Sequence, residues 1–139
     1  MKVLFDSSSF AKRYIAETGS QKVEEICQQT TSLGISVILV PEIISGLARY
    51  KNESILSSQN YNLAKSKLLQ DVEDAQIINL TPKVIARSIT LLENNSLRAM
   101  DALHIACALE WEAEHFVSSD RGQIKAARNT GLKVIAIIE

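Results

Sequence analysis

Four carboxylates in this chain stand where a fold could bring them together. Asp6 ends the apolar start of VLFDSSSFAKRY, Glu42 follows VILVP, Asp120 follows FVSS, and Asp101 opens the helical run DALHIACALEW after the non-acidic segment NNSLRAM. Asp6, Glu42 and Asp120 each lie one to a few residues beyond a predicted strand, so all three would face one edge of a sheet. Each acid also has a plainer reading. Asp and Ser cap helix starts by accepting from free N–H groups, and Glu42, in the first turn after Pro41, would complement a helix dipole. Three acids at one edge ask for more than capping.

If the four converge, two unit negative charges 4 to 5 Å apart repel by roughly 3–4 kcal/mol at an effective dielectric near 20. A cluster of four multiplies that cost unless protons or cations offset it. An all-carboxylate site suits Mg²⁺ or Mn²⁺, and no His/Cys set offers a zinc alternative. Mg²⁺ held by a few carboxylates keeps several waters and takes substrate phosphates as further ligands, which is a setting for phosphodiester chemistry.

The elements that must position these acids follow from five short apolar runs: Val3 to Phe5, Ser36 to Val40, Ile77 to Leu80, Phe116 to Ser118 and Val134 to Ile138. Helical patterns separate them, which predicts an α/β domain with a mainly parallel sheet. The runs are apolar on both alternating sets, as strands covered on both faces should be. Thr81-Pro82 gives an N-cap and a Pro at the first helical position, Gly34 and Gly131 stand where helix C-terminal caps belong, and Tyr61, Ala64, Leu68 and Val72 keep helical spacing. Such sheets bind ligands at the carboxyl ends of their strands, near the point where strand order reverses.

Composition bounds the rest. With 139 residues, 46% hydrophobic and 22% charged, the chain is expected to form one domain over residues 1–139. Met1-Lys2 is followed by only three apolar residues before Asp6, so no signal peptide is expected, and no apolar run approaches the roughly 20 residues needed to cross a bilayer. A cytoplasmic protein with no membrane association is the expectation. Cys27 and Cys107 lie in helical patterns without a metal-binding motif and read as reduced core residues. A net charge of −1 and pI of about 6.1 give no general footprint for nucleic acid, so a polyanion would need local basic groups or a metal.

These blocks resemble the PIN-domain family of metal-dependent ribonucleases, in particular the toxins of VapBC-type toxin–antitoxin pairs. DSSSFAKRYIAETGS is similar to the family's opening segment and VPEIISGLAR to its second block. LRAMDALHIACAL and FVSSDRGQIKAARNTGLKVI resemble the third and fourth, centred on Asp101 and Asp120, so the likeness runs in order from Asp6 to Ile135. It implies an α/β/α sandwich around a five-stranded sheet of order 3-2-1-4-5. It also implies Mg²⁺-dependent endoribonuclease activity (Mn²⁺ substituting), an RNA substrate, a homodimer, and a small antitoxin that blocks the acidic groove, often with a basic side chain. Two departures stand out. Ser118 replaces a Thr common in relatives, and Arg121-Gly122-Gln123 lacks the additional acid that some carry.

By this resemblance Asp6 and Asp101 are metal ligands, direct or through water, with Asp120 completing the site and Glu42 holding a water on the metal. Ser118, on the strand face of Asp120, would orient a carboxylate or water, as would Ser7 and Ser8 unless they only cap. His104, one turn after Asp101, reads as a structural hydrogen bond and not a general base, because its surroundings are mostly apolar. Trp111 and Tyr14 read as packing or interface residues. Lys12, Arg13, Arg49, Lys51, Arg98, Arg121, Lys125 and Arg128 follow or flank the acids and would form a phosphate-binding rim. The residues also admit a nuclease of RNA maturation or turnover and a silent binding domain of this fold. A phospho-acceptor receiver fits less well, since DSSS lacks paired acids and INLTP lacks an Asp.

Overall fold

Val3 and Phe5 face one side of a sheet and Leu4 the other, and all three are fully buried. The chain is seen in a computed structural model that describes residues 1–138. Strands β1 (Lys2–Phe5), β2 (Ser32–Ser36), β3 (Gln76–Ile78), β4 (His115–Ser118) and β5 (Val134–Ala136) form one sheet of order β3-β2-β1-β4-β5 in which every pairing is parallel. The α/β class and the strand order are those expected.

Parallel strands need crossovers, and helices supply them on both faces. Helices α1 (Ser7–Phe10), α2 (Ser20–Gln29), α3 (Leu39–Asn52) and α4 (Ser58–Asp71) pack Phe10, Val23, Ile26, Leu39, Ile43, Leu47 and Leu68 against Val3, Phe5, Ile35 and Val117. On the opposite face, α5 (Pro82–Asn94), α6 (Ala99–Trp111) and α7 (Arg121–Asn129) close over Leu4 and Phe116. Helix α6 buries Ala102, His104, Ile105, Ala106, Cys107 and Ala108, apolar around most of its circumference as a central helix should be. Thr81 Oγ1 accepts from Val84 N, with Pro82 in the first turn of α5, and Gly131 takes a positive φ just after α7. Cys27 and Cys107 are free thiols, Cys107 buried.

Three expectations are corrected. The second strand is Ser32–Ser36, not Ser36–Val40, because VILV turns into α3: Val37 is 41% exposed and Leu39 already packs in the core as helix. A short apolar run fits strand or buried helix equally well. Gly34 is accordingly no helix cap. It sits in the middle of β2, where an added Cβ would collide with the Trp111 indole. Strand β3 at the sheet edge is not covered on both faces, since its Gln76 and Ile77 are exposed. Gly34→Ala should therefore cost about 1–3 kcal/mol of stability through overpacking, read as a lower midpoint in urea unfolding with an unchanged slope.

Candidate active site

Strand order reverses between β1 and β4, and Asp6 leaves β1 there. Its N–H still pairs with Val117 O at 3.0 Å, while its extended backbone (φ −82°, ψ 174°) starts α1. The carboxylate is fully buried. Oδ1 accepts from Ser9 N (2.9 Å) and Ser9 Oγ (2.7 Å); Oδ2 accepts from Ser8 Oγ (2.6 Å), Ser118 Oγ (2.7 Å) and Gln123 Nε2 (2.9 Å). Asp6 is thus both the N-cap of α1 and the hub of a polar cluster. Ser118, two residues before Asp120, also accepts from Asp120 N at 3.1 Å, so one hydroxyl ties the two strand ends together.

Asp120 caps α7 with Oδ2 accepting from Gln123 N at 2.8 Å. Asp101 does not cap α6, contrary to expectation: Arg98 is the N-cap, and Asp101 lies in the first turn, which points its side chain towards Gln123 and Arg98. Gln123 Nε2 reaches Asp101 Oδ1 at 3.1 Å, and Arg98 Nε reaches Asp101 Oδ2 at 3.2 Å. Burial lifts the Asp101 carboxyl above the usual range; Arg98 opposes the shift, and the charges of Asp120 and Asp6 add to it.

Glu42 stands in the first turn of α3 with Ser7 Oγ at 2.7 Å and His104 Nε2 at 2.5 Å, both on Oε1. Burial pushes its carboxyl up, but the hydrogen bonds from His104 and Ser7 prevail and hold it below the ordinary value. His104 is 1% exposed and its Nδ1 has no hydrogen-bond partner, so the ring serves as a fixed donor to Glu42. A depressed carboxyl contributes stability that is complete above its unfolded value, near 4.5, and is lost as pH falls through the lower folded value. His104→Leu should cost about 1–2 kcal/mol at pH 7. That difference from the wild type should shrink below pH 4.5, as shown by urea unfolding across the acid range.

Gln123 was not foreseen. It is 2% exposed and contacts Asp6, Asp101 and Asp120, while its Oε1 is buried without a partner. A Gln three residues after an N-cap acid fits the capping-box pattern, which locates its N–H but not a side chain turned inward.

Among the described residues no three His, Cys, Asp or Glu side chains form a ready-made metal cage, so the four-carboxylate cluster expected from the sequence is not closed. What gathers Asp6, Asp101 and Asp120 is the Gln123 amide and N–H. The donors are all oxygens, and the like charges around Asp101 favour a cation, so these residues fit a hard divalent ion.

A family sequence profile described as PIN domain matches residues 3–129. The chain belongs to the PIN domain family. No curated protein sequence matches it. Among solved structures, its PIN fold is similar to a toxin–antitoxin complex from Klebsiella pneumoniae (17% identity, 99% of this chain and 98% of that one, TM-score 0.72). It is also similar to FitAcB from Neisseria gonorrhoeae (17%, 96% of each chain, 0.74). A third is Mycobacterium tuberculosis VapC20, described as a sarcin-ricin loop cleaving toxin (12%, 89% and 94%, 0.69).

In this PIN domain a cleft of about 370 Å³ opens beside Glu42, lined by Ser7, Ser8 and Arg98 together with Ile15, Leu47 and Tyr50. Arg49 also lines it. The expected basic rim is only partly there. Lys12 is paired with Glu17, and Arg13 is tied to Glu24 and Asp71, its guanidinium bound into the α2–α4 packing. Arg121, Lys125 and Arg128 line a separate hollow. Tyr14 donates to Asp71, and Trp111 packs on Gly34 under Lys2, so neither aromatic is a free stacking surface. No helix among the described residues is long and apolar enough to cross a membrane.

Proposed function

We infer that this PIN domain is an Mg²⁺-dependent endoribonuclease and the toxin of a two-protein module. The observation that carries this is the meeting of Asp6, Asp101 and Asp120 on Gln123, where strand order reverses and ligands bind such sheets. Asp6 and Asp101 would hold the ion, with Asp120 completing its surroundings. Bound Mg²⁺ (or Mn²⁺) supplies a water of lowered pKa and neutralises charge developing on the scissile phosphate.

The protein's own groups do the rest. Ser8, Ser9 and Ser118 fix the Asp6 carboxylate, so its orientation is set before substrate arrives. Glu42, kept ionised by His104 and Ser7, would accept a hydrogen bond from a water on the metal. Arg98, with its side chain 82% exposed at the cleft mouth, and Arg49 meet RNA phosphates, which positions the backbone without reading sequence.

The apolar part of the cleft lining, at Ile15 and Tyr50, suits a small antitoxin, in keeping with the toxin–antitoxin complexes among the structural neighbours. A basic antitoxin side chain reaching the acids would compete with the ion. The chain acts as a single domain, as a homodimer, in the cytoplasm. Brief induction followed by sequencing of new RNA 5′ ends tests the proposal, with Asp101→Asn as control. Discrete new ends and growth arrest with the wild type alone are expected. Trimming of a single precursor without arrest would favour RNA maturation, and identical end profiles for both proteins would exclude nuclease action.

A further inference from the structure

Asp6 has five donor atoms within hydrogen-bond distance, Ser9 N, Ser8 Oγ, Ser118 Oγ, Gln123 Nε2 and a Ser9 hydroxyl that Val117 O also approaches at 2.9 Å. A carboxylate offers about four lone-pair sites, so Asp6 is saturated, and no cation can reach it without displacing a donor. The backbone N–H of Ser9 is fixed by α1. The serine hydroxyls are held on short chains next to Asp6, or on the strand that pairs with β1. Gln123 differs from all of these. Its contact is the longest of the side-chain four, its side chain has the most rotatable bonds, and its Nε2 serves Asp101 as well. Its Oε1 meanwhile goes without a partner in a buried place. The amide's orientation is therefore dictated by the two acids alone.

We propose that Gln123 is a positioning residue that stands in for the metal: its amide NH₂ bridges Asp6 and Asp101 in the ion-free protein and must be displaced when a divalent ion binds. This rests on the metal-site reading and adds to it a built-in competitor. The amide keeps two like-charged side chains together without a cation, so the site stays assembled when empty, and it weakens ion binding by the cost of its own displacement. The backbone N–H of Gln123 stays on Asp120 throughout, leaving only the side chain to move.

The test is calorimetric titration of Mn²⁺ into the purified protein, with thermal unfolding in EDTA, for the wild type, Gln123→Met and Gln123→Lys. Gln123→Met keeps the length and removes the donor. It should tighten Mn²⁺ binding about tenfold and lower the metal-free Tm by about 3–6 °C. Gln123→Lys leaves a fixed ammonium between the acids and should weaken Mn²⁺ binding about 100-fold or more while folding without metal, which keeps the proposal testable if the Met variant does not fold. The side-chain amide resonances of Gln123, assigned by their loss in Gln123→Met, should move on addition of diamagnetic Mg²⁺. Mn²⁺ affinity unchanged or weaker in Gln123→Met, or amide resonances that stay put on saturation, would overturn the proposal alone. No Mn²⁺ binding by the wild type would overturn the metal reading beneath it.

Discussion

Asp101→Asn should give a folded protein that no longer cuts RNA. Asp101 places an oxygen beside Asp6 and Asp120, and on the proposed reading the site without its charge would lose hold of the ion that would activate water. A loss of about 10³-fold in cleavage rate, about 4 kcal/mol of transition-state stabilisation, is expected. Its structural attachments are few: the Gln123 amide, which Asn can still accept, and an exposed Arg98. Because its carboxyl is raised on folding, Asp101 disfavours the native state once it ionises. The penalty is absent below its ordinary value of 3.8 and appears as pH rises through the folded value. The metal-free variant should therefore be about 0.5–2 kcal/mol more stable than the wild type at pH 7. Urea unfolding should show the two converging at low pH.

Asp6→Asn should also abolish cleavage, but by a route that says less about chemistry. The carboxylate is fully buried and has five donor atoms within hydrogen-bond distance. An amide there keeps one acceptor oxygen and turns an NH₂ towards groups that are themselves donors. Leaving such groups unsatisfied costs about 1–3 kcal/mol each, tempered by rotation of the hydroxyls. We expect a net loss of about 2–4 kcal/mol, a large part of the 5–15 kcal/mol that holds a typical domain together. A midpoint shift in urea well beyond that of any other acid variant checks this. Loss of activity in Asp6→Asn alone would thus confuse unfolding with chemistry, whereas Asp101→Asn separates them.

The contrast shows where the sequence is informative. The α/β class followed from the alternation of short apolar runs with helical patterns, and so did the positions of Asp6 and Asp120 past β1 and β4, whereas the strand order came from the resemblance to the PIN-domain family. The boundary of β2 did not, because Val37 to Val40 is apolar for two reasons: the strand is leaving the sheet and α3 is entering the core. The hydroxyls of DSSS were legible only as caps or helpers. The structure gives each a partner: Ser7 holds Glu42, while Ser8 and Ser9 hold Asp6. Arg13 looked like a cation for RNA, yet Glu24 and Asp71, distant in sequence, claim it. Gln123 stayed hidden for the same reason. Where a side chain turns is decided by groups more than 100 residues away, here Asp6, and no local pattern carries that.

RNA cleavage at these acids is proposed to depend on a divalent ion. This dependence is tested most directly by following cleavage of an end-labelled RNA by purified protein as Mg²⁺ is titrated from an EDTA-treated start, with wild type and Asp101→Asn in parallel. Expected are no cleavage in EDTA, saturable cleavage by the wild type as Mg²⁺ rises, and cleavage by the variant slower by about 10³-fold at every concentration. Cleavage by the wild type that persists in EDTA, or equal cleavage by Asp101→Asn, would contradict it.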